Sequence, residues 1–351
     1  MDQAYYRKIF QAFSDEVPTS IHVIGAGNIN DTLRVVTSTQ AYLLQRINHR
    51  VFRRPEQVQD NYQLIYQHLA HQQVGLVLPG LIKTKEGGLY TQDEDSRFWR
   101  LLTFIEGAVA YEQPNELGQV REAAAKMGQF VAALNQSPAL SLHETISDFH
   151  YFQGRYLAFE ALLQGEVNKR MKSAQSGIDF IRAYAGRVPN YRALGLPLRV
   201  VHNDPKIGNV LFNREEEVIA VIDWDTVMPG YLATDLGDMI RTMAVSADED
   251  ESDLSKIYLR MDYLQACLEN FLLPFKGLLS PLEKQYLATG PLYIAMEQAL
   301  RFLHDYLMGD QYYKIQYLDH NLHRALNQVM LCRSIMREEA FIRETINEVL
   351  S

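Results

Sequence analysis

Cysteine is scarce in this 351-residue chain: Cys267 and Cys332 are the only two. Each lies in a stretch that otherwise reads as helical, so the pair makes neither a disulfide framework nor a Cys-rich zinc site and fits a reducing compartment. Positive charge is also short, with 34 Lys and Arg against 43 Asp and Glu and a formal net charge of -9. That balance argues against general attraction to nucleic acid or to an anionic membrane, while leaving room for a local basic pocket that holds a small anion. No segment reaches the run of about 18 uncharged apolar residues that a membrane span needs. The opening MDQAYYRKIF carries charges where a secretory signal would be apolar. A cytoplasmic protein with neither nucleic acid nor membrane as a partner is expected. Internal repeats, low-complexity tracts and Gly/Ser linkers are missing as well. So are the phosphate-loop pattern Gly-x-x-x-x-Gly-Lys-Ser/Thr and the Gly-x-Ser-x-Gly elbow, which leaves hydrolase readings poor.

What is present is a chain with 47% hydrophobic residues, enough for a packed core and long enough for two domains or one two-lobed unit. Residues 20 to 105 read as a small α+β unit: strand-like IHVIG, TLRVVT and AYLLQRI, a helix from Pro55 to about Gln73, then GLIKT and FWRLLTFIEG. From about Asn115 helical periods dominate, near 116–135, 148–187, 232–246, 253–273, 281–308 and 320–349. Ser280-Pro281-Leu282-Glu283 supplies a cap, a proline at the first helical position and a glutamate at the third, and Pro55 can open its helix in the same way. A strand-rich island at 197–223 interrupts the helical part. The expected division is residues 1–105 as a nucleotide-binding lobe and 106–351 as a catalytic, mainly helical lobe, with Glu106-Gly107 as a hinge candidate.

The island carries the chemistry. In VVHNDPKIGNVLF, Asp204 is followed five residues later by Asn209, and VIDWD then brings Asp223 and Asp225 to the end of an apolar strand. A single Asp–Asn pair before a strand commonly serves only its own turn. Four such groups converging would repel one another unless a hard cation joined them, and Mg²⁺ takes one or two side-chain oxygens and completes its shell with water and phosphate oxygens. The spacing matches the phosphoryl-transfer template, in which a loop Asp accepts the hydroxyl proton, an Asn five residues on holds metal and a later Asp holds metal at the phosphates. Lys206, beyond Pro205, could steady charge on the transferring group. His202 more naturally braces the loop than titrates, and Asp235 in ATDLGDMIR more naturally caps a helix or orders the loop than takes part in chemistry. Gly25 and Gly27 in IGAGNINDTLRVV have the layout of a loop folded over phosphates, with a strand rather than a helix after it. His320 and His323 stand at helical spacing, but no carboxylate motif accompanies them and they read as core or surface.

HNDPKIGNVLF followed by VIDWDTVMPG resembles the catalytic and metal motifs of the aminoglycoside phosphotransferase and choline kinase superfamily. The segments YLLQRIN, DLGDMIR, LRFLHDYLMGDQYY and HNLHRALNQ, in order, extend the resemblance over nearly the whole chain and are most similar to its N-acetylhexosamine 1-kinase group. The resemblance implies an α+β, two-lobed protein-kinase-like fold, with a small antiparallel-sheet lobe before a larger helical one. It implies ATP as co-substrate, Mg²⁺, and transfer to the anomeric hydroxyl of a sugar, with other hydroxyl acceptors such as choline, homoserine or an aminoglycoside, or a non-catalytic nucleotide-binding module, as alternatives. By position, Asp204 would be the base, Asn209, Asp223 and Asp225 the metal residues, and Thr103, Phe104 and Ile105 the segment that reads adenine. Asn28, Asp204, Lys206, Arg301 and Tyr312 would face the sugar; Asn28 stands where the group carries a histidine. Gln45 occupies the register where kinases of this fold present a lysine to the nucleotide. Its neighbour Arg46 should point to the opposite face of the strand.

Overall fold

The computed structural model describes residues 3–24, 30–136, 139–165 and 169–351. The expected α+β class is observed, with an antiparallel sheet in the N-terminal region and helices in the C-terminal region. The chain forms two compact units, each gathered from several segments: unit 1 is Met1–Val109, Ala133–Ser147 and Leu211–Pro229, and unit 2 is Ala110–Ala132, Asp148–Val210 and Gly230–Ser351.

Unit 1 is built on a six-stranded sheet of β1 (Ser20–Val23), β2 (Asp31–Val36), β3 (Ala41–Ile47), β4 (Leu81–Ile82), β5 (Thr91–Gln92) and β6 (Phe98–Thr103). The order is β1-β2-β3-β6-β4, with β5 also on β6, and the pairings are antiparallel. Strand alternation sends Leu33, Val35, Tyr42, Leu44, Trp99 and Leu101 to one face. There they pack with Ile9, Phe10 and Phe13 into one core cluster. Ile9 and Phe10 come from helix α1 (Gln3–Phe10), an element the sequence reading did not include. Gln45 and Arg100 are direct cross-strand partners in the β3–β6 register and, by the same alternation, share the opposite face. Helix α2 (Pro55–Gln72) starts with Pro55 at its first position, as expected.

Unit 2 contains most of α3 (Leu117–Leu134), then α4 (Phe152–Leu163), α5 (Lys169–Ser173), α6 (Gln175–Tyr184), the short strand β7 (Arg199–Val201), α7 (Leu232–Met243), α8 (Met261–Leu272), α9 (Pro281–Leu287), α10 (Gly290–Leu307), α11 (His320–Arg337) and α12 (Glu339–Leu350). The capping box at Ser280 and Glu283 forms as the sequence suggests. Several expected long helices are divided. The stretch 281–308 breaks after Leu287 because Gly290-Pro291 opens a new helix, proline having no backbone N–H to continue the old one. That restart also lets α7 and α10 approach closely: a Cβ on Gly237 would run into the backbone of Gly290, and one on Gly290 into the backbone of Ala233. Among the described residues, no helix is long and apolar enough to cross a membrane.

Candidate active site

In unit 2, β7 delivers the chain into the loop His202–Asn209. Asn203 takes a left-handed backbone conformation, φ 65°, which is uncommon for a residue with a side chain. The loop is held from outside by Asp235 on α7, whose Oδ2 accepts from the His202 N–H and whose Oδ1 accepts from the Asn203 N–H, each at 2.7 Å. Asp235 therefore orders the loop, one of the two roles its position suggested. Burial pushes its carboxyl up to about 7 against the pull of those two donors.

Within the loop, Lys206 Nζ lies 2.8 Å from Asp204 Oδ2, and Asn209 Nδ2 donates both to Asp204 Oδ2 at 2.9 Å and to the Asp204 carbonyl at 2.7 Å. The amide nitrogen of Asn209 is thus committed to Asp204, and its amide oxygen is the atom a hard cation would take. Burial alone would raise the Asp204 carboxyl. The Lys206 ammonium, helped by His202 and Asn209, outweighs it and holds the pKa below the ordinary carboxylate value. The pair is partly open to solvent, so it adds little stability. It keeps an ionised carboxylate in a fixed place.

Strand β8 (Val210–Phe212), all but its first residue in unit 1, pairs with β9 (Val218–Val221), and the chain then reaches Asp223. Asp223 is left-handed, φ 60° and ψ 60°, immediately before a short turn of 3-10 helix at Trp224–Thr226. Asp225, in that turn, is buried: its Oδ1 accepts from Arg100 Nη1 at 2.6 Å, its Oδ2 from Asn30 Nδ2 at 2.7 Å, and its carbonyl from Thr145 Oγ1 at 2.8 Å. Gln45 is engaged on the same side, its Oε1 accepting from Arg100 Nε and Nη2 at 2.9 and 2.7 Å and its Nε2 donating to Thr32. Arg46 makes an ion pair with Asp31, its cross-strand partner, away from this cluster. Thr103 and Gly80 exchange two hydrogen bonds at the end of β6, and Phe104 lies under the Arg34 guanidinium, 4.6 Å from ring centre to carbon. Ile105 is half-buried. Gly25, Gly27 and Asn28 lie outside the described residues.

A family profile for phosphotransferase enzymes matches residues 20–262, more than half of the chain and including every residue of both polar clusters. The chain belongs to the phosphotransferase enzyme family. Solved structures similar to this phosphotransferase include an aminoglycoside phosphotransferase from Alicyclobacillus acidocaldarius, with 14% identity, 97% of this chain and 96% of that one covered, and a TM-score of 0.64. A microcompartment-associated aminopropanol kinase matches at 13% identity, 97% and 98% coverage and a TM-score of 0.64. A spectinomycin phosphotransferase solved with ADP and spectinomycin matches at 14% identity, 98% and 99% coverage and a TM-score of 0.57. At these identities the likeness fixes the fold, which is protein-kinase-like.

The late helices of the phosphotransferase bring Arg301 on α10 under two tyrosines, its guanidinium carbon 5.6 Å from the Tyr313 ring centre and 6.0 Å from that of Tyr312. Tyr312 is 66% exposed. One buried carboxylate sets this loop: Asp305 accepts from the backbone N–H groups of Gln311, Tyr312 and Tyr313 and from Asn321 Nδ2. A second buried carboxylate on α10, Glu297, accepts from Arg155 Nε at 2.9 Å and His150 Nδ1 at 3.0 Å, while His150 Nε2 lies 3.3 Å from the Asn203 carbonyl. Both neighbours of the imidazole are acceptors, which favours a proton on each nitrogen. Burial lowers the His150 pKa, but Glu297 more than offsets this and the net direction is upward. Glu297, His150 and Arg100 were not anticipated. The available signal was the same in two of them: a charged residue inside an apolar run, Glu297 in YIAMEQAL and Arg100 in FWRLL.

Proposed function

We propose that the protein is an ATP- and Mg²⁺-dependent kinase that phosphorylates the anomeric hydroxyl of an N-acetylhexosamine such as GlcNAc or GalNAc. The observation that carries it is the Asp204 loop, an ionised carboxylate fixed between Lys206 and Asn209 within a chain of the phosphotransferase family. Asp204 takes the proton of the 1-hydroxyl as that oxygen bonds to the γ-phosphorus and the bond from the phosphorus to the bridging oxygen of ADP breaks. Lys206 steadies negative charge on the group in transit. Asn209 and Asp223 supply the oxygen ligands that suit Mg²⁺, whose charge, when bound, offsets that of the phosphates. Among the described residues no cage of three or more His, Cys, Asp or Glu side chains is formed. Mg²⁺ in such enzymes needs none, because water and phosphate oxygens complete its shell. Asp225 has both carboxylate oxygens taken within unit 1 and is left out of the ligand set.

Gly25 and Gly27 are assigned to the phosphates, Thr103, Phe104 and Ile105 to adenine, and Gln45 to the support of the nucleotide site. Asn28, Arg301 and Tyr312 are assigned to the sugar. An arginine beside an exposed tyrosine offers hydrogen-bond donors and a flat apolar face to a neutral sugar, and it repels a cationic acceptor such as choline or an aminoglycoside. Two buried free thiols fit the cytoplasm. The test is transfer of label from γ-labelled ATP with Mg²⁺ to a panel of GlcNAc, GalNAc, glucose, choline, 1-amino-2-propanol, homoserine and an aminoglycoside. Acid-labile label on an N-acetylhexosamine is expected. Transfer only to an amino alcohol would replace the sugar acceptor, and nucleotide binding with no turnover on any acceptor would replace the enzyme by a binding module.

A further inference from the structure

Kinases of this fold place a lysine on the third strand and pair it with a glutamate on the neighbouring helix. Here the third strand offers Gln45, and the cation stands directly across from it on β6 as Arg100. The two substitutions read as one exchange. A lysine at 45 would set like charges opposite each other on one face of an antiparallel pair. A glutamine accepts from two guanidinium nitrogens and orients them instead.

Arg100 is only 1% exposed, which is tolerable for a guanidinium when its donors are satisfied and its charge is balanced. Gln45 takes Nε and Nη2, Asp225 takes Nη1, and the Tyr62 ring from α2 lies 5.1 Å from the guanidinium carbon. Tyr62 is itself stacked on Trp224, with ring centres 4.7 Å apart. Arg100 is too buried to present its charge to a ligand. What it does touch is the turn that follows Asp223: Asp225 through its carboxylate, and Trp224 through Tyr62. Thr145 closes the same turn from the other side at the Asp225 carbonyl. Asp223, two residues back, is held in a left-handed conformation, which a residue with a side chain keeps only where its surroundings enforce it.

We infer that Arg100 is a positioning residue for the metal-nucleotide site: by clamping Asp225 it enforces the backbone conformation that aims Asp223. The buried cation on the adjacent strand thus supports the site from behind and does not meet the nucleotide itself. The inference rests on the proposed assignment of Asp223 as a metal ligand.

The test measures ADP affinity by calorimetry with and without Mg²⁺ and reads their ratio, which a purely structural weakening of the fold would leave unchanged. Loss of a residue that orients a metal ligand commonly costs about 10- to 100-fold in metal-dependent affinity. Arg100→Gln should reduce the ratio by that order, and Arg100→Lys should reduce it less. The exchange variant Gln45→Lys/Arg100→Gln, which returns the cation to the third strand directly across from position 100, should recover part of it. A ratio within about twofold of wild type in Arg100→Lys and in Arg100→Gln overturns the inference. If Arg100→Gln does not fold, Arg100→Lys, which keeps the charge and the aliphatic stem, decides alone: a wild-type ratio there refutes it. A wild-type protein whose ADP affinity ignores Mg²⁺ removes the metal assignment itself. A metal-dependent wild type with unaffected variants removes only the role of Arg100.

Discussion

Asp204 and Asp225 lie 21 positions apart in one motif-rich stretch and answer the same physical problem in opposite ways. Asp204 finds its cation two residues along the chain, stays partly open to solvent and is fixed by an asparagine from its own loop. Asp225 is closed off from water, and its cation is Arg100, 125 positions away on strand β6. A carboxylate balanced locally and left accessible is free to exchange a proton with a substrate. One sealed against a guanidinium is committed to holding the chain in place. The two environments separate chemistry from support more sharply than the shared residue type does.

The largest expected effect follows from the accessible member. Asp204→Asn removes the proposed base but keeps the shape, so turnover should fall by about 10² to 10⁴ while Mg²⁺-nucleotide affinity is retained; steady-state kinetics beside calorimetry would show a combined loss if the two carboxylates were equivalent after all. The sealed member should behave in the reverse order. Asp225→Ala strands a buried guanidinium and should cost about 3–5 kcal/mol of stability by denaturant unfolding, an effect absent from Asp204→Asn. Smaller again is Asp235→Asn, which sets an amide NH₂ against a backbone N–H of the loop and should cost about 1–3 kcal/mol together with part of the turnover. A variant with full activity would show that the loop holds its shape without α7.

The smallest effect is a dependence on pH. His150 faces Glu297, Asp238 and Arg301, Arg155 pairs with the same Glu297, and the net pKa shift of His150 is upward. Stabilisation by an imidazolium with a raised pKa is complete below the ordinary histidine value of about 6.5 and is lost as pH climbs through the higher folded-state value. Asp235, raised to about 7, acts in the same direction, because its neutral form is favoured in the fold. The melting temperature should therefore decline from mildly acid to mildly alkaline pH. Glu297→Gln should remove the His150 part and Asp235→Asn the other; an unchanged slope in both variants would rule these groups out as its source.

The comparison also explains what could be read from the chain alone. Asp204, Lys206 and Asn209 share one loop, so their spacing announced their contacts. So did the capping box at Ser280, whose partners are three residues apart. The Arg100–Asp225 pair depends on strand register and on a turn that follows a distant hairpin, and no local pattern encodes a contact of that span. Helix α1 was missed for a related reason: an eight-residue helix is stabilised mainly by the sheet face it covers. The division of 281–308 into two helices was written in Gly290-Pro291. Glu297 and Arg100 show a rule that could be applied without a structure, since a lone charge inside an apolar run must have a partner somewhere.

The loop after α10 has a different lesson for redesign. Its path is dictated by three consecutive main-chain N–H groups gathered on the Asp305 carboxylate, with Asp310 and Tyr313 as inward anchors, so its outward side chains contribute little to that path. Tyr312, Ile315, Tyr317 and Leu318 all project outward from it. Such a loop is an exchangeable cassette: its outward positions can be randomised while Asp305 and Asn321 are kept, and a library built that way varies recognition on an unaltered frame.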